Sequence, residues 1–220
     1  IINNCIKKIL VLFIMLYKFL SMLFVCVSFT PTRRQILSSL PLFTDISKDK
    51  YKITENENIN KTLYFYNDVT EETCLSLSND LKELSTDSNP IHLHIQSLGG
   101  ELMPTFNVVD IIERSPTPIY TYIDGYAASA ATLISIAGHK RFMGKHSLML
   151  LHELSGGNEG TYKDLKEGIM NMNTFMDFAK EIYLDNSNIN SSELSSILSY
   201  NNLWLNSSMC LKYGFVDQIL

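Results

Sequence analysis

The segment Ile119-Tyr-Thr-Tyr-Ile-Asp-Gly-Tyr-Ala-Ala-Ser-Ala-Ala-Thr-Leu-Ile-Ser-Ile-Ala-Gly138 passes from β-branched and aromatic residues into an alanine-rich run that ends at glycine. Its first part is typical of a strand, and its second part of a helix closed by Gly138. On both sides of it, short apolar runs again alternate with longer amphipathic ones. Three strand-to-helix repeats predict parallel strands joined by right-handed crossovers, and hence an α/β domain.

The element boundaries follow from these runs and from the Gly, Pro and Ser breaks between them. We expect strands at Thr62–Tyr66, Ile91–Ile95, Ile119–Ile123, Lys140–Met143 and Leu148–Leu151, and helices at Val69–Leu84, Leu102–Arg114, Ala127–Ala137, Tyr162–Leu184, Ser192–Tyr200 and Ser207–Tyr213. Sites in open parallel sheets gather at the carboxyl ends of the strands. The turns at 96–100, 124–129 and 152–157 are therefore the places to look for chemistry.

Composition and charge exclude several classes of protein. The 220 residues are 45% hydrophobic and 19% charged, which supports a sizeable core and excludes a wholly disordered chain. A formal net charge of −5 argues against a general nucleic-acid binder. Residues 1–34 contain five basic residues and no acid, so the rest holds 13 basic against 23 acidic residues, a net charge of −10.

The basic leader is also apolar. Residues 9–27 are hydrophobic apart from Lys18 and Ser21, which fits either a membrane anchor or a cleaved, signal-like leader over residues 1–28. Residues 29–50 contain no acid before Asp45 and form a transit-like or linker segment. Together the two segments resemble the bipartite leader of complex algal plastids. We expect cleavage and a location in the plastid stroma, with a cytoplasmic or membrane-anchored protein as the alternative, and a folded domain over residues 51–220.

The cysteine pattern does not indicate a disulfide framework or a metal site. Two of the four cysteines lie in the leader, and the two in the body could form at most one bridge (Cys5, Cys26, Cys74, Cys210). No Cys/His spacing is typical of a zinc site, so no metal is expected.

Ser129 is the candidate nucleophile. It lies in Gly125-Tyr-Ala-Ala-Ser-Ala-Ala131, a strand–turn–helix junction whose small residues leave a hydroxyl accessible at the start of a helix. Free N–H groups and positive potential there suit an anion that develops on an attacked carbonyl. A serine needs a base to act as a nucleophile. The alternative is a plain N-cap serine.

Of the five histidines, His152 has the best position for that base. It follows the apolar run 148–151 and precedes Ser155-Gly-Gly157, and unperturbed histidine titrates near neutrality. The alternative is a strand-end histidine without a chemical role. We expect the remaining four to be structural on one strand face (His92, His94) or solvated beside a turn (His139, His146).

The Gly99-Gly100 turn lets backbone N–H groups approach a substrate, which is the form of an oxyanion hole. A Gly-Gly pair alone marks many turns. Taken together, however, a nucleophile, a base and oxyanion donors on adjacent strand ends indicate acyl transfer.

These motifs also carry a resemblance. His92-Leu-His-Ile-Gln-Ser-Leu-Gly-Gly100, Gly125-Tyr-Ala-Ala-Ser-Ala-Ala-Thr132 and Lys140-Arg-Phe followed by Met149-Leu-Leu-His-Glu-Leu-Ser-Gly-Gly157 resemble the glycine turn, nucleophile and base motifs of the Clp protease proteolytic subunit (ClpP). The tail Tyr213-Gly-Phe-Val-Asp-Gln-Ile-Leu220 is similar as well, so the resemblance covers about residues 60–220. It implies a serine peptidase of the crotonase-like fold, with repeated β-β-α units, mainly parallel strands and a protruding handle helix.

By position, the resemblance implies roles for individual residues. Ser129 would be the nucleophile, His152 the base, and the N–H groups of Gly100 and Ala130 the oxyanion hole. Two segments would pair with an extended substrate as added strands (Glu101, Leu102, Glu153, Leu154).

The resemblance also implies an assembly. The helix Tyr162–Leu184 would be the handle through which two heptameric rings of like or mixed Clp subunits meet as a tetradecamer. An AAA+ unfoldase would feed unfolded proteins into the chamber. ATP would be used by the unfoldase, so this chain needs no cofactor. The handle is unusually apolar, with six large apolar residues within ten positions (Ile169, Met170, Met172, Phe175, Met176, Phe178), which supports oligomerisation; the alternative is a helix buried on all sides in its own domain.

The chain departs from the family pattern at its third triad position, where Asn202 stands in place of aspartate. An amide supplies no charge to the histidine, and such a swap costs about 10⁴ in kcat in a well-studied serine protease. Asp185 is the nearest substitute along the chain.

Ala130 and Leu98 replace the family's Met and Pro. Residues 45–60 lack the family's hydrophobic N-terminal segment, which helps to dock the unfoldase.

The sequence is therefore compatible with four functions. The leading one is an active or weakened Clp-type serine endopeptidase subunit. The second is a non-catalytic, ClpR-like structural subunit of a mixed ring, motivated by Asn202. An acyl-CoA enzyme of the crotonase fold and a membrane-anchored protein with an unrelated soluble domain are the third and fourth.

Overall fold

The computed structural model describes residues 61–157, 159–200 and 202–220. Its elements are β1 (Thr62–Phe65), α1 (Glu71–Leu84), β2 (Ile91–Ser97), α2 (Leu102–Glu113), β3 (Ile119–Ala128), α3 (Ala130–Ile136), β4 (Lys140–Met143), β5 (Leu148–Leu151), α4 (Tyr162–Asp185), α5 (Ser191–Leu198), β6 (Leu203–Asn206), α6 (Ser207–Tyr213) and β7 (Gln218–Ile219). The predictions for the leader and for residues 29–60 lie outside the described residues. Within these ranges no helix combines the length and apolar character needed to cross a membrane.

The strands form one mainly parallel sheet in the order β1-β2-β3-β4-β7. β3 is long enough to serve two neighbours, because its first half pairs with β4 and its last residues pair with β5. β6 adds to β5 as the one antiparallel pair among the described strands. The predicted α/β fold with mainly parallel strands is confirmed.

The largest boundary errors lie at the junction of β3 and α3, where the strand ends at Ala128 and not at Ile123. Sequence placed a helix from Ala127, whereas Ala127 and Ala128 continue β3 and the helix begins at Ala130. These alanines stay in the strand because they pair with Met149 and Leu150 of β5. Their small, fully buried side chains fit where strand and helix approach closely.

Two strands were not predicted at all. β7 has only two residues, and β6, although as long as β4 and β5, runs directly into α6 without a turn between them. The other boundaries moved by a few residues. Val69, assigned to α1 by sequence, instead forms an isolated parallel bridge with Gly100. Thr70 caps α1, since the Thr70 hydroxyl accepts a hydrogen bond from the Thr73 N–H.

The core lies between the sheet and the helices that cover it. Its buried members include the inward residues of β2 and β3 and the whole of α3, with Ile95, Ile123 and Ile134 among them. Cys74 and Cys210 are buried and unpaired. Burial raises the pKa of Cys74 to about 11 and that of Cys210 to about 12, so both remain protonated thiols.

Helix α4 is seated on the domain only at its C-terminal end. Ala179 and Tyr183 are its buried residues, and the first four turns project with their side chains exposed or half-buried. The alternative of a handle buried on all sides is therefore wrong. The structure agrees with the protruding helix that the resemblance implies.

A bidentate ion pair ties the C-terminal segment to the sheet. The Arg141 guanidinium donates to both carboxylate oxygens of Asp217, at 3.1 and 2.6 Å, and also to the Asn186 carbonyl at the end of α4. Burial alone would raise the pKa of Asp217, but the hydrogen bonds and charge of Arg141 hold that pKa below its ordinary value of 3.8. The pair therefore stabilises the folded state most when Asp217 is ionised.

Asp217→Asn is expected to lower the free energy of unfolding by about 1–3 kcal/mol at pH 7, because it leaves the half-buried Arg141 without its counter-charge. Since the folded-state pKa is depressed, the stabilisation is complete above pH 3.8 and is lost as the pH falls below it. Urea unfolding at pH 7 and pH 3 should show the gap between wild type and variant narrowing. Asp110→Asn, at an exposed pair with Arg114, is the control and should change little.

Candidate active site

Ser129 has an unusual backbone conformation, with φ 53° and ψ −130°. It is the one non-glycine residue with positive φ in the described part of the chain. Such a conformation costs about 1–3 kcal/mol and persists only where surrounding contacts hold it. One of them is the hydrogen bond from the Ser129 N–H to the Leu150 carbonyl, at 2.9 Å.

The Ser129 hydroxyl is not used as a helix cap. Ser129 occupies the N-cap position of α3, yet its side chain makes no capping hydrogen bond. Within the described ranges it has no other hydrogen-bond partner either. The alternative of a plain N-cap serine is therefore wrong, and the hydroxyl remains available for chemistry.

The Gly99-Gly100 turn packs directly against this serine. A Cβ on Gly99 would lie 2.7 Å from the Ser129 Cβ and 2.5 Å from the Ala128 carbonyl oxygen, so only glycine fits. A Cβ on Gly100 would overlap the Val69 carbonyl oxygen. Hydrogen bonds from Val69 N–H to Gly99 and from Glu101 N–H to Val69 hold the turn in place.

Two backbone donors face this region without an acceptor. In the described ranges, neither the Gly100 N–H nor the Ala130 N–H donates a hydrogen bond, and both residues line the same cavity as Ser129. That cavity is small, about 60 Å³. Preorganised donors of this kind stabilise an oxyanion when the carbonyl between them is attacked.

His152 lines the same cavity, at the end of β5. Its Nδ1 lies 2.6 Å from the Glu153 carbonyl oxygen. Because a carbonyl can only accept, Nδ1 carries the proton and Nε2 of the neutral ring presents its lone pair. No hydrogen bond joins His152 to Ser129 in the described residues. Side chains of an unliganded serine–histidine pair often separate in this way and move together only with substrate.

Asn202 lies beside His152 by strand register. Leu203 of β6 is opposite Leu151 of β5, so the residues just before and just after them, Asn202 and His152, leave the ladder at the same end. Asn202 is exposed, and it makes no hydrogen bond to His152 in the described part of the chain. Asp185 does not line the cavity of Ser129 and His152; it borders two other cavities near the end of α4. It is therefore in the wrong place to replace the missing aspartate.

The predicted substrate-pairing segments are only partly available. Leu102, Glu153 and Leu154 line the cavity, whereas Glu101 does not. The Glu101 N–H donates to Val69 and its carbonyl accepts from Thr105. Leu102 is the first residue of helix α2, so the structure does not offer an extended segment there, and substrate pairing stays a prediction.

Sequence reasoning missed Thr132 and Tyr183, two hydroxyls packed behind Ser129. Thr132 donates from its side chain to the Ser129 carbonyl, and Tyr183 reaches Thr132 from α4. The polar Thr132 within an alanine run was a weak signal. The other partner lies 51 positions along the chain, and nothing in the local sequence connects the two.

The other histidines have structural partners or are exposed. His92 and His94 are half-buried on one face of β2, with Nδ1 atoms 2.8 Å from the Tyr122 hydroxyl and 2.7 Å from Asp124. Burial, and to a lesser degree His94, lowers the pKa of His92. His139 and His146 are exposed, although His139 accepts a hydrogen bond from the Ile119 N–H. Within the described ranges no cluster of His, Cys, Asp or Glu could hold a metal ion.

Comparison with known families agrees with this geometry. The sequence model of the Clp protease family matches residues 47–220. The chain belongs to the Clp protease family.

The relatives of this Clp protease family member are distant. Proteolytic subunit 1 of the ATP-dependent Clp protease of Mycobacterium tuberculosis is 27% identical over 166 residues, which span 73% of this chain and 82% of the relative. Proteolytic subunit 2 from Treponema pallidum is 25% identical over 142 residues, 64% of this chain and 70% of the relative. An asparagine-to-aspartate mutant of ClpP1 from Listeria monocytogenes superposes with a TM-score of 0.66 at 19% identity, covering 73% of this chain and 91% of that one. At that identity the superposition shows a shared fold.

Proposed function

We propose that this Clp protease family member is a serine endopeptidase subunit that cleaves unfolded polypeptides through an acyl-enzyme on Ser129. The observation that carries the proposal is the strained Ser129. Its uncommitted hydroxyl shares one cavity with His152 and with the unpaired N–H groups of Gly100 and Ala130. Non-glycine residues held in strained backbone conformations cluster at active sites and ligand clamps.

The geometry supports a two-step acyl transfer. The Ser129 Oγ attacks the scissile carbonyl and its proton passes to Nε2 of His152, which the Glu153 carbonyl holds in the required tautomer. The oxyanion that forms accepts hydrogen bonds from the Gly100 and Ala130 N–H groups. His152 then gives its proton to the leaving amine. A water molecule, deprotonated by the same histidine, releases the acyl group.

Asn202 sets the expected strength of this activity. The Glu153 carbonyl supplies the tautomer of His152 but only a dipole, so the imidazolium formed in the first step lacks a counter-charge. A slow peptidase is therefore expected. The same residue supports the second candidate, a non-catalytic, ClpR-like subunit of a mixed ring.

The exposed handle supports the assembly part of the proposal. Tyr162, Leu165 and Ile169 are exposed on the projecting part of α4 and match what a ring-to-ring contact would bury. We further propose two heptameric rings of like or mixed Clp subunits, fed by an AAA+ unfoldase, with ATP used only by that partner. The basic, apolar leader supports delivery to the plastid stroma.

A fluorophosphonate probe tests the chemistry directly. Intact-mass analysis of the purified protein should show one probe added per chain, mapped to Ser129, and no addition to Ser129→Ala. Ser155→Ala, which alters another serine on the cavity wall, should label like wild type. A folded wild-type protein that takes no label would contradict the peptidase proposal and support the non-catalytic subunit.

A further inference from the structure

Two buried hydroxyls lie in series behind the strained serine. The Thr132 side chain, which is fully buried, donates to the Ser129 carbonyl oxygen at 2.6 Å. Tyr183, also buried, is hydrogen-bonded to the Thr132 hydroxyl. Thr132 has a single hydroxyl proton, and that proton is already directed at the carbonyl. Tyr183 must therefore donate to the Thr132 hydroxyl, so the series of hydrogen bonds runs from Tyr183 through Thr132 to the Ser129 carbonyl.

This series of hydrogen bonds ends at the peptide group that carries the oxyanion donor. The Ser129 carbonyl and the Ala130 N–H belong to the same peptide group, which is planar and trans, so the two dipoles point in opposite directions. Anchoring the carbonyl on the core side thus fixes the N–H on the cavity side. The same carbonyl accepts a second hydrogen bond from the Thr132 N–H, at 2.9 Å. Hydrogen bonds to the carbonyl also polarise the peptide and strengthen its N–H as a donor.

We propose that Thr132 and Tyr183 are positioning residues that aim and polarise the Ala130 N–H for the oxyanion. The inference rests on the proposed function, because it assumes attack by Ser129. Packing alone gives no reason for these two hydroxyls, since valine and phenylalanine fill the same space without buried oxygen atoms that need partners. Tyr183 lies in the C-terminal part of α4, which packs against the domain, so the same contact connects this helix to the nucleophile.

The test uses variants that remove one hydroxyl each, Thr132→Val and Tyr183→Phe. The matched control is Thr121→Val. Thr121 is equally buried and donates to the Ser135 carbonyl at 2.7 Å, at the far end of the same helix α3. Each variant is made in the wild-type and Asn202→Asp backgrounds. The measurements are kcat and KM for a fluorogenic peptide, the rate of fluorophosphonate labelling, and the inhibition constant of a peptide boronate, whose adduct places an oxygen in the oxyanion hole.

Thr132→Val is expected to lower kcat and the labelling rate about tenfold, below the 10²–10³-fold cost of deleting a donor outright. KM should stay unchanged, and the boronate should bind about tenfold more weakly. Tyr183→Phe should lower kcat about threefold and add nothing to Thr132→Val, because it acts only through Thr132. Thr132→Ser, which keeps the hydroxyl, should restore most of the activity. Thr121→Val should lose stability but keep kcat.

Three results would overturn the inference. Equal losses of kcat in Thr132→Val and Thr121→Val would mean that both hydroxyls only support the fold. Unchanged boronate affinity in Tyr183→Phe would also overturn the inference, even if Thr132→Val failed to fold. Protein that takes no label at Ser129 in either background would overturn both the proposed function and this inference. A labelled wild type whose Thr132 and Tyr183 variants behave like it would overturn only the inference.

Discussion

Asn202→Asp is expected to raise kcat for peptide hydrolysis by about 10³- to 10⁴-fold with little change in KM, the reverse of the loss seen when a triad aspartate becomes asparagine. The reason is charge rather than shape. Opposite neighbours in an antiparallel pair have Cβ atoms about 4.5–5.5 Å apart, and the register brings position 202 beside His152 at the end of β5 and β6. A carboxylate there can accept the hydrogen bond from the His152 Nδ1–H in place of the Glu153 carbonyl, and its charge stabilises the imidazolium.

The control is Asn206→Asp, at the other end of β6. Asn206 caps α6 by accepting from the Met209 N–H, and aspartate preserves that cap while adding the same charge away from His152. Peptide hydrolysis and the rate of probe labelling should rise in Asn202→Asp and stay at the wild-type level in Asn206→Asp. If Asn202→Asp gains nothing in either assay, His152 is not oriented from β6, and the non-catalytic subunit becomes the better description.

The fold could be predicted because its cues are local. Apolar runs, glycine turns and capping residues such as Thr70 each act within a few positions, so alternating strands and helices were visible in the sequence. β6 and β7 were not, since β7 has only two residues and β6 runs directly into α6 without a turn that would mark its end. The extension of β3 to Ala128 has the same origin, because β5 supplies its partners.

Positions of the site residues could be predicted, but not their geometry. The positive φ of Ser129 is imposed by contacts with Leu150, Thr132 and the Gly99 turn, which are distant in sequence or form only in the folded chain. The contact of His152 with the Glu153 carbonyl depends on side-chain direction, which no pattern encodes. Asp185 looked like a possible third member along the chain, and only the structure shows it in other cavities.

The second large effect is expected in the handle helix α4, through which we propose that two rings meet. Met176, Ala179 and Tyr183 pack α4 against the domain, and the same stripe continues toward the N-terminus at helical spacing. Met172 still lies beside Gly156, whereas Ile169 and Leu165 are exposed. Ile169 is 61% exposed. The stripe is therefore packed against the domain at one end of α4 and exposed to solvent at the other. In the proposed assembly, the exposed end would be buried against the handles of the opposite ring.

Ile169→Lys is therefore expected to split the double ring into single rings, seen as a halved mass in sedimentation or light scattering. Each handle would lose about 1.5–3 kcal/mol of apolar burial and place a charge in the contact, and the loss recurs in every subunit. The control is Asn171→Lys, which adds the same charge on the opposite, exposed face of the helix and should leave the mass unchanged. An Ile169→Lys protein with wild-type mass would mean that this stripe meets something other than a second handle. A wild type that is monomeric would contradict the assembly altogether, because the apolar stripe would then be stable in water without a partner.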